Sequence, residues 1–367
     1  GVAVDSAGNV YVTGYFIGIV DFGSGDVRTL RFSTVEVFVT KYNAAGVHQW
    51  TDAFGGVSWD SGKSVAVDGS GNVYVTGVFR RDVDFGEDYY GSRENDADAF
   101  VTKYNAAGVH QWAKVFMSPT TDEGAGVAVD GSGNVYAIGF FYSTVNFGAG
   151  NVTSQGIADV FVTKLNSSGA HQWTTTLGGT NNDIGYGVAV DGSGNVYVTG
   201  SFKGFVDFGV GFVTSAGNSD VFVTKLNAAG VHQWTTTLGG TDTDFGDRVA
   251  VDSSGNVYTN GYFQGTVDFG AGNVTSAGSY DGFVVKLNSA GQAVVAGGGG
   301  GGGGGGAPAA PPPPPLPCPW PTATYAYQSK CVEPLKGAIS VDADGTLFTV
   351  GNLDVTGITI DLEDGET

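Results

Sequence analysis

An all-β architecture built from tandem copies of one small sheet is the fold class this sequence predicts, on three observations. The block Val-Ala-Val-Asp, a Gly/Asn turn, Val-Tyr and a closing Gly recurs, with its aspartate at Asp5, Asp68, Asp130, Asp191 and Asp252. The steps of 63, 62, 61 and 61 residues mean one supersecondary unit copied in tandem. The 63 glycines and only 14% charged residues point to many tight turns and few exposed helices. Within each unit the apolar residues alternate with a period of two, which is the period of half-buried strands.

The unit from Gly187 to Gly240 displays the plan. Gly187 to Asp191 reads as a first strand and Asn195 to Thr199 as a second, joined across Gly192-Ser193-Gly194. Asp191 suits that turn, because its carboxylate accepts backbone N–H groups two residues on and the glycines permit positive φ. A long connection through Val206-Asp207-Phe208-Gly209 leads to a third strand, Val221 to Leu226. Asn227 to Gly230 then turns the chain into a fourth, His232 to Leu238. Four antiparallel strands in about 60 residues, stacked copy on copy, describe the blades of a β-propeller. Tyr11, Tyr74, Tyr136, Tyr197 and Tyr258, the third-strand Phe38, Phe100, Phe161, Phe222 and Phe283, and Trp50, Trp112, Trp173 and Trp234 are read as core between blades.

The recurrent Asp-x-x-Gly-Asn-Val-Tyr-Val-Thr-Gly, then Asp-Val-Phe-Val-Thr-Lys-Leu-Asn, then Gly-x-His-Gln-Trp-x-x-x-Leu-Gly-Gly, resembles the bacterial seven-bladed beta-propeller repeat (SBBP) family over residues 1–292. The resemblance implies an exported or cell-surface protein, often multidomain, usually without an assigned enzymatic activity. Only five units are present, starting near residues 1, 64, 126, 187 and 248. They form either a five-bladed ring or an arc of a larger one. The fifth unit has Ala293, Val294 and Val295 where the fourth has His232, Gln233 and Trp234, so its outer strand is expected to lack the aromatic.

The repeat domain is read as residues 1–296, followed by a linker over 297–321 and a short β segment over 322–367. Gly297 to Gly306 is an unbroken glycine run and Pro311 to Pro315 an unbroken proline run, flexible and stiff spacers in turn. Beyond them Asp342, Gly345, Phe348 and Gly351 repeat the spacing of the opening hairpin, as a diverged sixth hairpin or the start of another β-domain. Cys318 and Cys331, the only cysteines, suit a small disulfide loop in an oxidising compartment, with free thiols the alternative. The chain opens at Gly1 within a repeat and without Met, so its natural N-terminus is expected to lie upstream.

A net charge of -20 would repel a phosphate backbone, which argues against nucleic acid and anionic membranes as partners. No apolar run reaches the length of a spanning helix, so no membrane insertion is expected of this chain. His48, His110, His171 and His232 occupy one place in each unit, as strand residues do and a catalytic base does not. Lys41, Lys103, Lys164, Lys225 and Lys286 end the third strands. Pairing with Asp21, Asp84, Asp207 and Asp268 is optional, because Asn146 replaces the acid in unit three. The Asp-x-x-Gly-Asn turns offer one carboxylate each, too few oxygens for calcium, so Asp5, Asp68, Asp130, Asp191 and Asp252 are read as structural turn residues. No nucleophile elbow, zinc motif or phosphate loop is present, and no catalytic residue, metal or cofactor is expected.

Specific recognition is therefore sought where the copies differ, on the loops at the opposite end from the Asp-Gly turns. Unit two is the outlier. Trp59 and Asp60 in the link entering it, and Arg80, Arg81, Tyr89, Tyr90 and Arg93 in its long connection, form the candidate binding set. The expected function is a non-enzymatic scaffold binding a protein or glycan. The alternative is a propeller lyase or hydrolase, for which Asp82, Glu87 and Glu94 are the unrepeated acids.

Overall fold

The computed structural model describes residues 1–29, 34–86, 88–91, 96–209, 211–270 and 272–294. Residues 1–295 form one compact unit. The linker, the C-terminal segment and the cysteine pair lie outside the described residues. Within that compact unit there are 29 strands and, among the described residues, no helix.

Each blade is an antiparallel sheet in sequence order. In the fourth blade an inner strand, Ile184–Val190, pairs with Val196–Phe202, which pairs with Asp220–Leu226, which pairs with His232–Leu238. The first three blades repeat this order, and the fifth has three strands, ending at Leu287. That loss agrees with the missing His-Gln-Trp block.

The long connection is not irregular. In every unit it folds into a two-stranded hairpin, such as Phe205–Asp207 with Phe212–Thr214. Blades splay apart away from the axis, and the hairpin fills the wedge this opens. Phe85, 2% exposed, sits 4.9 Å from Phe54 of the preceding blade and 5.5 Å from Phe100 of its own. Phe147 fills the same place against Phe116 and Phe161. The acid of the Val-Asp-Phe-Gly block caps the hairpin tip. Asp207 Oδ1 accepts the Gly209 and Gly211 N–H groups, and Asn146 Oδ1 accepts those of Gly148 and Gly150. An amide oxygen serves as well as a carboxylate there, which explains the asparagine. The repeated lysines instead lie over the repeated tyrosines, from 4.9 Å for Lys164 on Tyr136 to 5.3 Å for Lys103 on Tyr74.

Tyr11, Tyr74, Tyr136 and Tyr197 are fully buried as expected, but the tryptophans are half-buried clamps rather than core. Trp173 Nε1 donates to the Ala228 carbonyl of the next blade, and Trp50, Trp112 and Trp234 make the equivalent bond. The repeated histidines are strand residues, with Nε2 bonded to a threonine three positions on: Thr51, Thr174 and Thr235. Unit two has Ala113 there, and His110 Nε2 is buried without a partner. Ala113→Thr is therefore expected to raise stability by about 1 kcal/mol, read as a higher urea midpoint at unchanged slope.

The Asp-Gly turns follow the local reading. Asp191 accepts the Ser193 and Asn195 N–H groups, the Asn195 amide and the Tyr197 hydroxyl, at 2.9, 2.9, 2.8 and 3.1 Å. Asp5, Asp68, Asp130 and Asp252 do the same. Among the described residues the first and fifth blades do not cover each other. Val2 is 67% exposed, against 6% for Val65 at the same place in the second blade, and Val284 is 60% exposed against 0% for Val223 in the fourth. These flanks of the first and fifth blades are thus open to solvent among the described residues.

Candidate interaction face

The inner strands stand side by side, and their first residues lie at the end opposite the Asp-Gly turns. One aspartate opens each of them from the second blade on: Asp60, Asp122, Asp183 and Asp244. Asp183 is 1% exposed. Its two oxygens accept the Gly179 N–H at 2.8 Å and the Lys203 N–H at 3.0 Å, pinning the blade link to the end of the second strand. Asp60 does the same with Gly56 and Arg80 and is fully buried. The expectation that Asp60 contacts a ligand is corrected on this ground: it is a repeated backbone pin.

A second acid, at the start of the third strand of the preceding blade, is buried beside each pin. The pairs are Glu36 with Asp60, Asp98 with Asp122, Asp159 with Asp183 and Asp220 with Asp244, all at most 4% exposed. Burial pushes the Asp60 carboxyl up to about 7, Asp122 to about 8 and Asp183 to about 6. The neighbouring acid adds to the rise, and the backbone N–H groups oppose it. At the second junction Ser118 replaces the glycine, its N–H goes to Asp98, and Asp122 Oδ2 is buried without a partner.

Beyond the pins, the residues that differ from copy to copy come together. Trp59 is half-buried, with the Lys63 ammonium 5.6 Å and the Arg80 guanidinium 5.8 Å from its ring. Tyr15 of the first blade, 56% exposed, lies 6.3 Å from Trp59, tilted by 52°. Lys63 also pairs with Glu123 of the third blade at 3.1 Å. Further round, burial and then the negative charge of Glu123 and Asp247 push the Tyr186 hydroxyl up, and Arg248 bonds Asp247 at 3.3 Å.

Of the residues expected at a binding site, the structure thus brings Trp59 and Arg80 together, and Arg81 follows Arg80 on the surface with φ 68. Tyr89 is 67% exposed on the hairpin, its hydroxyl 3.3 Å from Asp82. Tyr90 turns inward: it packs 6.1 Å from Phe85 and donates to the Ala113 carbonyl, so it belongs to the core. Arg93, Glu87 and Glu94 lie outside the described residues. Sequence reasoning missed Tyr15, Lys63, Glu123, Tyr186 and Arg248. The signal was available: where the inner strand has Lys63-Ser64 in the second blade it has Ala125-Gly126, Tyr186-Gly187 and Asp247-Arg248 in the next three, amid otherwise repeated residues. A cavity of about 270 Å³ lies away from this face, lined by Lys114, Asn146, Phe147 and His171. Among the described residues no group of three metal-ligating side chains occurs. No helix there is long and apolar enough to cross a membrane.

The chain is similar to an uncharacterized WD repeat-containing protein of Acanthamoeba polyphaga mimivirus, 24% identical over 80% of this chain and 27% of that protein. It is also similar to the regulatory protein FlaEY of Caulobacter vibrioides, 26% identical over 71% of this chain and 29% of that protein. It thus spans less than a third of the length of either relative. The beta-propeller repeat model SBBP matches residues 49–78 and 172–201. Each match runs from the fourth strand of one blade through the first two of the next, the stretch that carries the clamp tryptophan, the aspartate pin and the Asp-Gly turn. At these two places the chain carries the beta-propeller repeat that the SBBP model describes.

Proposed function

We propose that this chain is a non-enzymatic scaffold of an exported or cell-surface protein, and that it binds a protein or glycan through the end of the blades where the inner strands begin. One observation carries this reading. The residues common to all copies are consumed in holding blades together, whereas Trp59, Lys63 and Arg80 are unrepeated and come together beside Tyr15. Rigid repeats that present variable side chains on one face are the usual arrangement of recognition surfaces. The test immobilises the chain and passes cell-envelope material over it. Trp59→Ala with Arg80→Ala is expected to lower the retained material roughly fivefold or more, and Gln111→Ala with Gln172→Ala, at the Asp-Gly turn end, to leave it unchanged. The reverse pattern would overturn the reading.

A further inference from the structure

We infer that the Tyr15–Trp59–Arg80–Arg81–Lys63 surface, at the junction of the first two blades, binds an acidic polysaccharide, whose sugar rings lie on the two aromatics and whose carboxylates or sulfates meet the cations. The inference rests on the binding role proposed above and names the ligand class.

Charge is the first argument. The chain carries -20 overall, and five of its sixteen basic residues are engaged over repeated tyrosines. Against that background Lys63 and Arg80 meet over Trp59, and Arg81 follows Arg80 on the surface; Glu123 pairs with Lys63, and Asp60 lies buried beneath with Glu36 and Asp82 near it. A concentration of positive charge on an acidic protein selects an anion and repels the rest of an unlike partner.

Backbone conformation is the second. Arg81 stands at φ 68, in a left-handed position that Gly18, Gly204 and Gly265 occupy in the first, fourth and fifth blades and Ser143 in the third. An arginine there carries a conformational penalty of about 1 kcal/mol that glycine would not.

The aromatic pair decides between anions. Tyr15 and Trp59, tilted by 52° with centroids 6.3 Å apart, form a shallow angled shelf and not a pocket. Such a shelf suits the apolar faces of successive pyranose rings, while arginine forks take carboxylate or sulfate oxygens beside them. An acidic polypeptide has the charge without the rings.

Binding of the whole chain to polygalacturonate, dextran and poly-L-glutamate separates these cases. Polygalacturonate is expected to bind, dextran not, and poly-L-glutamate at least tenfold more weakly than polygalacturonate. Trp59→Ala and Arg80→Gln should each weaken binding about tenfold, and the salt dependence should fall with Arg80→Gln. Arg81→Gly should weaken binding while raising the melting temperature, so its loss of binding is not a loss of fold. Poly-L-glutamate binding as tightly, with Trp59→Ala still damaging, would overturn the sugar assignment and leave the binding face standing. Failure of all three probes to bind, or polygalacturonate binding indifferent to Trp59→Ala, would overturn the inference, while the envelope-capture test still judges the broader role separately.

Discussion

Gly179→Ala is expected to destabilise the protein by roughly 3 kcal/mol or more, whereas Gly192→Ala, a chemically identical change thirteen residues on, should be neutral or stabilise it by about 0.5 kcal/mol. At Gly179 a methyl group would fall on the Phe205 carbonyl of the hairpin that closes the wedge between the third and fourth blades. Backbone meets backbone there, as the Gly178–Asp207 and Gly179–Val206 pairing requires. The same glycine N–H feeds the Asp183 pin, so displacing it also orphans a buried carboxylate oxygen. The second junction gives a natural comparison. Where Ser118 takes this place, its N–H goes to Asp98 and Asp122 keeps an unpartnered oxygen. Gly192 faces open space at an ordinary φ, and Ser6 and Ser253 stand at its position in other units. Thermal unfolding of the two variants measures the difference directly.

Stability is expected to peak near pH 4 and to fall progressively above it, by about 2 kcal/mol or more between pH 6 and pH 9 alone. The pin aspartates have folded pKa values raised to about 7, 8 and 6 at Asp60, Asp122 and Asp183, chiefly by burial. A raised folded pKa means the fold binds a proton the unfolded chain has released. The contribution is therefore fully present below the unfolded value near 4 and is lost as pH rises through 6 to 8. The turn aspartates act at the other end. Burial raises the carboxyls of Asp68, Asp130 and Asp191, but hydrogen bonds from Asn72, Asn134 and Asn195 and the repeated tyrosines outweigh it, and the net shift is downward. Their contribution is present above the unfolded pKa and lost as pH falls below it. Urea denaturation across pH 3 to 9 checks both limbs. Asp122→Asn should flatten the alkaline limb, and a stability that rises from pH 6 to pH 9 would refute the assignment of protons to the junctions.

Much of this was legible in the chain because the repeat supplied its own alignment. The Asp-Gly turns, the four strands and the weakened fifth unit follow from spacing and alternation, since turn chemistry at Asp191 and period-two patterning are local properties. The connecting hairpin was not legible. Its strands are three residues long, too short for a periodic signal, and they form because Phe85 and its equivalents have an inter-blade wedge to fill. Asp60 looked like a loop acid beside Trp59. Only tertiary structure shows that Asp122, Asp183 and Asp244 share its task. Tyr90 looked like a twin of Tyr89, but alternation on a short strand sends one to solvent and the other to Phe85. The candidate face was half legible: Trp59 and Arg80 were visible as exceptions in unit two, while Tyr15 and Lys63 join them only through the stacking of two blades.

Repeated residues hold the blades, and Trp59 and Arg80 are proposed to face a ligand. The melting temperature of a chain carrying Tyr15→Ser, Trp59→Ser, Arg80→Ser and Arg248→Ser together tests this division most directly. The account predicts a melting temperature within about 5 °C of the unaltered protein, with ligand retention lost. Cooperative unfolding of that variant well below this range would contradict it, because the face would then be part of the framework.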